Sequence, residues 1–262
     1  MADAASALPA FAQLSAPDTW RAIEFVSDLH LGDDTPLTFD AFARYLRRTD
    51  ADAVFILGDL FEVWVGDDAR DHGVEAQCAE LLADAAKQRF IGFMHGNRDF
   101  LVGAELLDAC GVVFVADPTV LCAFGQRLLL THGDALCLSD TAYQRFRALV
   151  RSDEWQRDFL TQPLAERRNA ARRMREESQQ RKREQRGGEW FDVDADEALR
   201  WMRAAGTPVL IHGHTHVPGS NALAAGFERH VLSDWDLDHP HAAPRAEVLR
   251  WQRSGLARVA SA

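Results

Sequence analysis

Only four cysteines occur in the 262 residues, and Cys78, Cys110, Cys122 and Cys137 stand far apart, without the close pairs of a zinc finger. A chain of this length can bury a sizeable core without disulfides, so a reducing compartment is expected. No apolar run approaches the roughly 20 residues that cross a bilayer as a helix, and no repeat of fixed period is visible. Cationic charge is scarce as well: Lys and Arg number 29 against 40 Asp and Glu, a formal net charge of −11. Coating a nucleic acid needs a broad positive face, so no nucleic-acid partner is expected, and room is left only for a local basic patch. Residues 1–20 are Ala-rich and begin acidic, with neither a cationic start nor a long apolar block. They read as a disordered tail and not as a signal peptide.

What the chain has instead is a series of short apolar runs, each followed by a polar tip. Ile23 to Val26 precedes Asp28-Leu29-His30, Val54 to Leu57 precedes Gly58-Asp59, and Phe90 to Met94 precedes Gly96-Asn97-Arg98-Asp99. Leu128 to Leu130 precedes His132-Gly133-Asp134, and Val209 to Ile211 precedes Gly213-His214-Thr215-His216. Runs this short, rich in β-branched and aromatic residues, predict buried strands. Between them, Phe39, Phe42 and Leu46, then Val74, Cys78, Leu81, Leu82 and Ala85, recur at helical spacing. The class is therefore α/β: a largely parallel sheet with helices packed on it, and a second sheet extended by Val112 to Val115 and Phe227 to Leu232, giving four layers. The stretch 141–205 breaks the rhythm. It is helical in composition and carries Arg167, Arg168, Arg172, Arg173, Arg175, Arg181, Lys182, Arg183 and Arg186, so it reads as a helical insertion, or cap, between core parts 21–140 and 206–262. Asp192, Asp194, Asp196 and Glu197 open its last helix, where acids complement the positive end of the dipole and Ala198, Trp201 and Met202 face inward.

In such folds, ligand residues collect beyond the carboxyl ends of the strands, which would bring the five tips together. Carboxylate oxygens, an amide oxygen and imidazoles are a mixed hard and borderline donor set, suited to Mn²⁺, Fe or Zn²⁺. Asp59 is the natural bridge, since a shared carboxylate offsets the repulsion of two cations roughly 3.5–4 Å apart.

The five blocks resemble the calcineurin-like metallophosphoesterase pattern D-x-H, G-D, G-N-H/R-D, H and G-H-x-H. That resemblance implies that Asp28, His30 and His216 hold one metal, that Asn97, His132 and His214 hold the other, and that Asp59 bridges. Longer strings resemble one family within that superfamily, the UDP-2,3-diacylglucosamine diphosphatases: Ser27 to Leu31, Gly58 to Glu62 with Trp64 and Gly66-Asp67-Asp68, His95 to Leu101, His132-Gly133-Asp134 with Leu136-Cys137, and His212 to His216. The resemblance implies a four-layer α/β/β/α sandwich and two divalent ions, Mn²⁺ foremost. It also implies hydrolysis of the pyrophosphate of UDP-2,3-diacylglucosamine to UMP and 2,3-diacylglucosamine 1-phosphate, a step of lipid A biosynthesis, by metal-activated water attacking the UMP phosphorus. Asp59, Asn97, Arg98 and His214 would be catalytic, with His214 orienting or protonating the departing phosphate. Asn97, Arg98, Asp140, Tyr143, Ser178, Lys182, Gln185 and His214 would hold the substrate, Gln185 standing where a basic residue is expected. Trp155, Phe159, Leu160 and Leu164 would shelter the acyl chains. The basic cap helices would attach the enzyme peripherally to the anionic cytoplasmic face of the inner membrane.

Blander readings stand beside these. A lone Asp-x-His is usually a solvated turn, but five tips in order are not. Glu166, Glu176, Glu177 and Glu184 among the arginines fit an ordinary ion-paired helix equally well, and Trp155, Phe159 and Leu160 fit a core. His72, His212, His230, His239 and His241 are read as non-ligands, Cys137 as a packed thiol, and Asp99 and His95 as supports of the ligands. No role is evident for Asp234 to Asp238. Competing functions are another phosphodiesterase or phosphatase acting on cyclic nucleotides or phosphoproteins, a non-catalytic scaffold, and a nuclease, the last disfavoured by the acidic balance.

Overall fold

Alternation along the strands decides which layer each side chain enters. In β2 (Ala22–Val26), Ile23 and Phe25 face one side and Val26 the other; in β3 (Ala53–Leu57), Phe55 and Leu57 oppose Val54 and Ile56. Both strands are buried throughout, the environment that a near-continuous apolar run requires. The computed structural model describes residues 7–184, 191–239 and 243–261, with the backbone alone for 175–184.

The first sheet has the order β12 (Gly255–Ala260), β11 (Glu247–Gln252), β2, β3, β4 (Phe90–Met94), β5 (Val113–Phe114). Its strands from β2 to β5 are parallel. Its outer face is covered by α1 (Pro36–Arg48), α2 (Gly73–Ala86) and α3 (Ala104–Cys110), which bury Phe42, Leu46, Cys78, Leu82 and Leu106 against Val54, Ile56 and Phe93. The second sheet runs β1 (Ala12–Ser15), β6 (Thr119–Ala123), β7 (Gln126–Leu130), β8 (Val209–His212), β10 (Phe227–Val231), β9 (Gly219–Ala224). Leu121, Leu128, Leu130 and Ile211 meet Phe25, Phe55 and Leu57 between the sheets, whereas Val120, Leu129 and Leu210 face outward under α7 (Ala195–Ala205). The layers are thus helix, sheet, sheet, helix. Truncating a central residue such as Phe55 to Ala would cost about 3–5 kcal/mol through the cavity it leaves.

Three expectations need correction. The reading of 1–20 as a disordered tail fails at Ala12–Ser15, which pairs in parallel with β6; Leu14 packs on the inter-sheet core, and that contact orders an otherwise polar edge. Val112 to Val115 does not extend the second sheet, because Val113 and Phe114 pair with β4 at the rim of the first. The cap is also less separate than its composition suggests. It is built from α4 (Thr141–Val150), α5 (Asp153–Leu160) and α6 (Leu164–Glu184), but α7 is itself the outer layer of the second sheet. Phe159 is buried in the first core with Trp155 and Leu164 packed against it, leaving Leu160 exposed. Arg167 leaves the basic surface altogether: it is buried, with Nη1 2.9 Å from Asp68 Oδ1. Among the described residues, no helix is long and apolar enough to cross a membrane.

Candidate metal centre

Each polar tip follows the carboxyl end of a strand: β2 for Asp28 and His30, β3 for Asp59, β4 for Asn97 and Arg98, β7 for His132, and β8 for His214 and His216. The backbone there is bent into the left-handed region, with φ of +54° at Asp28, +50° at His30, +54° at Asp59, +66° at His214 and +53° at His216. That conformation costs an L residue roughly 1–2 kcal/mol, least for Asp, Asn and His. Among the described residues Phe124, in the β6–β7 hairpin, is the other non-glycine case. Strain gathered at one rim of the molecule is a mark of function. Two glycines make the convergence possible. A Cβ on Gly96 would overlap the Asp59 carboxylate and backbone nitrogen, and one on Gly58, at φ +87°, would lie 2.5 Å from His132 Nδ1.

The tips converge as two overlapping groups. His30 Nε2 and His216 Nε2 are 3.3 Å apart, and His216 Nε2 is 3.4 Å from Asp28 Oδ1. Asp59 Oδ2 lies 3.8 Å from His30 Nε2 and 3.8 Å from His132 Nε2, midway between the groups. On the far side Asn97 Oδ1 is 3.0 Å from His132 Nε2 and 2.8 Å from His214 Nδ1. The donor atoms of Asp28, His30 and His216, and those of Asp28, Asp59 and His132, are close enough within each group to share one ion.

Asp28 and Asp59 are buried, and among the described residues their ion-pair partners are all imidazoles. Buried carboxylates need compensating positive charge, and they act on the imidazoles beside them. Burial pulls His132 down, but Asp59, Asp28 and Asp134 outweigh it and push the group up to about 9. His30 is raised likewise: burial lowers it, while Glu62, Asp59 and Asp28 more than reverse that. For Asp28 burial acts upward, yet the contact with His216 and the surrounding imidazoles hold it far below the usual carboxylate range. His214 is pulled down to about 3 by burial and by His132 beside it. A buried pocket of carboxylate, amide and imidazole donors, close enough to share ions, fits divalent metal ions.

Residues 23–218 match the calcineurin-like phosphoesterases. The chain belongs to that family. A UDP-2,3-diacylglucosamine hydrolase of Chromobacterium violaceum is 45% identical over 218 residues, covering 82% of this chain and 90% of its own. One from Ralstonia nicotianae is 43% identical over 265 residues, covering 96% of each chain. A third, from Bordetella pertussis, is 40% identical over 245 residues, covering 88% of this chain and 91% of its own.

For this calcineurin-like phosphoesterase, the residues read as substrate contacts divide. Asn97 sits in the centre, and Arg98 borders it, with Nη1 3.8 Å from Glu62 Oε1 and its backbone N–H donating to Asp59 Oδ1 at 2.8 Å. Asp140 caps α4 by accepting from Tyr143 N at 2.9 Å, while the Tyr143 hydroxyl donates to buried Asp134 at 2.6 Å. The side chains of Ser178 and Lys182, and all of Gln185 and His241, lie outside the described residues. Asp99 accepts from Leu60 N at 2.7 Å and Gly96 N at 2.8 Å, tying two tips together, and His95 Nε2 meets Val102 O at 2.7 Å. Cys137 is a thiol, pushed up to about 12 by burial and by Asp134.

Other groups at the site carried no assignment from sequence. Asp134 also accepts from Arg147 Nε at 2.8 Å, and Arg151 donates to Gly96 O at 2.8 Å, so α4 is fastened to two of the tips. Asp134 directly follows His132-Gly133, a position that could have drawn notice. Asp234 Oδ2 lies 3.6 Å from His216 Nδ1 and is gripped by Arg245 at 2.7 Å, while Trp235 N donates to Asp28 O at 3.0 Å. Nothing local in Asp234 to Asp238 announces those distant partners.

Proposed function

We propose that this phosphoesterase hydrolyses the pyrophosphate of UDP-2,3-diacylglucosamine, releasing UMP and 2,3-diacylglucosamine 1-phosphate in lipid A biosynthesis. The observation that carries the reading is the near full-length similarity to relatives bearing that name, joined to a donor set without a gap: Asp28, His30, Asp59, Asn97, His132, His214 and His216. Asp28, His30 and His216 would hold one divalent ion, and Asn97, His132 and His214 the other, with Asp59 between them. The hard and borderline donors suit Mn²⁺, the cation we assign. When bound, the ions supply positive charge for a phosphoryl oxygen and make water acidic enough to attack near neutral pH.

The reaction adds water across the P–O–P bridge. The water oxygen ends on the UMP phosphorus, and the bridging oxygen leaves with the sugar phosphate. Arg98 offers a planar guanidinium that pairs with phosphate oxygens and offsets the charge that builds on them. Its backbone N–H, which donates to Asp59 Oδ1, and its place next to Asn97 in the chain support that assignment. His214, whose Nδ1 is 2.8 Å from Asn97 Oδ1, would orient or protonate the departing phosphate. Lys182 and Ser178 on α6, Gln185 just beyond it, and Asp140 with Tyr143 at the start of α4, complete the contacts we assign. Exposed Arg168, Arg172 and Arg173, together with the apolar Leu149, Leu160 and Met174, support peripheral attachment to an anionic bilayer on the cytoplasmic side.

The test is metal reconstitution followed by assay. Mn²⁺-loaded protein should release UMP from the diacylated UDP-sugar, and chelation or Asp59→Ala should abolish release while circular dichroism shows the fold intact. Comparable hydrolysis of cyclic AMP or of a phosphoserine peptide would overturn the assignment. Attachment to anionic vesicles should weaken with salt, and salt-insensitive partitioning would count against it.

A further inference from the structure

Glu62 sits three residues beyond Asp59, outside every group of donors described above, yet its two carboxylate oxygens face two different functional side chains. Oε2 is 2.9 Å from His30 Nδ1, and Oε1 is 3.8 Å from Arg98 Nη1. The residue is fixed from behind, since its backbone N–H donates to Leu31 O at 3.0 Å and Leu31 bridges Phe61 in parallel. The side chain is only 13% exposed, which strengthens both contacts relative to a solvated pair.

We propose that Glu62 is a positioning residue that aims His30 at the metal pocket and Arg98 at the substrate, coupling the two. An imidazole can present only one nitrogen to a cation, and the hydrogen bond at the other decides which one it is. With Nδ1 turned to the Glu62 carboxylate at 2.9 Å, His30 directs Nε2 toward His216 Nε2 and Asp59 Oδ2, 3.3 and 3.8 Å away. His132 follows the same rule on the other side, with Nδ1 2.9 Å from Leu57 O and Nε2 toward Asn97 and Asp59. A backbone carbonyl suffices there because His132 serves the pocket alone. A carboxylate is needed at Glu62 because it must also hold a cation. Arg98 Nε is buried without a hydrogen-bond partner, so the ion pair to Glu62 is the anchor that sets the direction of its fork. The signal was present in the sequence as the Glu of Gly58-Asp59-Leu60-Phe61-Glu62, but only the fold reveals that it faces two ways.

This inference rests on the metal-centre reading above, and the experiment separates the two. Metal-free wild type, Glu62→Gln and Glu62→Ala are titrated with Mn²⁺ by calorimetry, and the His30 tautomer is read by ¹⁵N NMR in the metal-free state at a pH high enough to leave the ring neutral. Glu62→Ala should weaken Mn²⁺ binding at one site by roughly 10–100-fold and lose the preference for the Nδ1–H tautomer. Glu62→Gln keeps an acceptor oxygen for His30 without the charge, so it should largely retain Mn²⁺ affinity but lower kcat/KM for the nucleotide-sugar severalfold by loosening Arg98. Wild-type Mn²⁺ affinity and tautomer in Glu62→Ala would overturn the proposal, as would a loss of Mn²⁺ affinity in Glu62→Gln equal to that in Glu62→Ala, or a wild-type kcat/KM in Glu62→Gln. Failure of wild-type protein to bind Mn²⁺ would instead sink the metal-centre reading. A Glu62→Ala protein that does not fold leaves Glu62→Gln to decide, through a lowered kcat/KM at retained Mn²⁺ affinity.

Discussion

At the scale of single residues, the centre is assembled against local preference. His216 carries φ of +53° and is part exposed, so its backbone strain is relieved most simply by removing Cβ. His216→Gly is expected to be more stable than His216→Ala by about 1 kcal/mol, the reverse of their usual order, while both weaken metal binding. Thermal unfolding of the two metal-free variants checks this. The same protein has a pH signature. His95 and His212 are pulled down to about 4, in both cases chiefly by burial, against the ordinary 6.5. Between those values the unfolded chain binds more protons, so stability falls as the pH drops through that window. Asp99, pushed up to about 6 by burial and by Asp59, and His132, at about 9, act in the other direction. Their contributions are full in acid and lost as the pH rises through those values. The melting temperature of metal-free protein should therefore pass through a maximum between pH 5 and 7, and a profile flat from pH 4.5 to 9 would contradict the burial of these groups.

At the scale of elements, α1 borrows its start from a distant segment. Thr35 makes no side-chain cap, and Asp238 supplies one instead, accepting from Leu37 N at 2.9 Å and Thr38 N at 2.9 Å. Asp238→Ala should cost about 1 kcal/mol of stability, read from denaturant unfolding. Because the backbone and Thr38 donors outweigh burial and lower the Asp238 carboxyl, that contribution should persist above the ordinary carboxylate range and vanish as the pH falls below it. This cap shows where sequence reading stops. The strands that carry the tips were legible because burial on both faces demands apolar runs, and α1 and α2 were legible because one buried face imposes helical spacing. β1 was not, since four residues of an edge strand carry too little pattern. β5 went to the wrong sheet because composition does not record on which side of β4 the chain returns. Asp28, His30, Asp59, Asn97, His132, His214 and His216 could be named because each closes a strand, whereas Asp234 and Asp238 act through partners far away in the chain. Arg167 shows the converse, a member of a basic run that the fold buries on Asp68.

At the scale of the whole molecule, the donors come from both sheets. Asp28, His30, Asp59 and Asn97 follow strands of the first, and His132, His214 and His216 follow strands of the second. Cations bound among them would join the two halves of the sandwich at one rim. Mn²⁺ at a hundred times its Kd should contribute about 2.7 kcal/mol per site, enough to raise Tm by about 5–10 °C in a chain of this size. Scanning calorimetry with Mn²⁺ and with a chelator tests it, and coincident melts would show that the rim is not joined by metal.

The segment 141–205 runs between β7 and β8, which are parallel neighbours, and no tight turn can close such a pair. Some excursion over the surface is therefore obligatory, while most of its content is left open by the pairing it serves. Among the described residues, its anchors include Asp134 and Gly96 under α4, Phe159 in the first core, Arg167 on Asp68, and α7 on the second sheet. Between those moorings the polypeptide is free to be rewritten by evolution or by an engineer, and a descendant could acquire a different clientele while inheriting the same reactive heart.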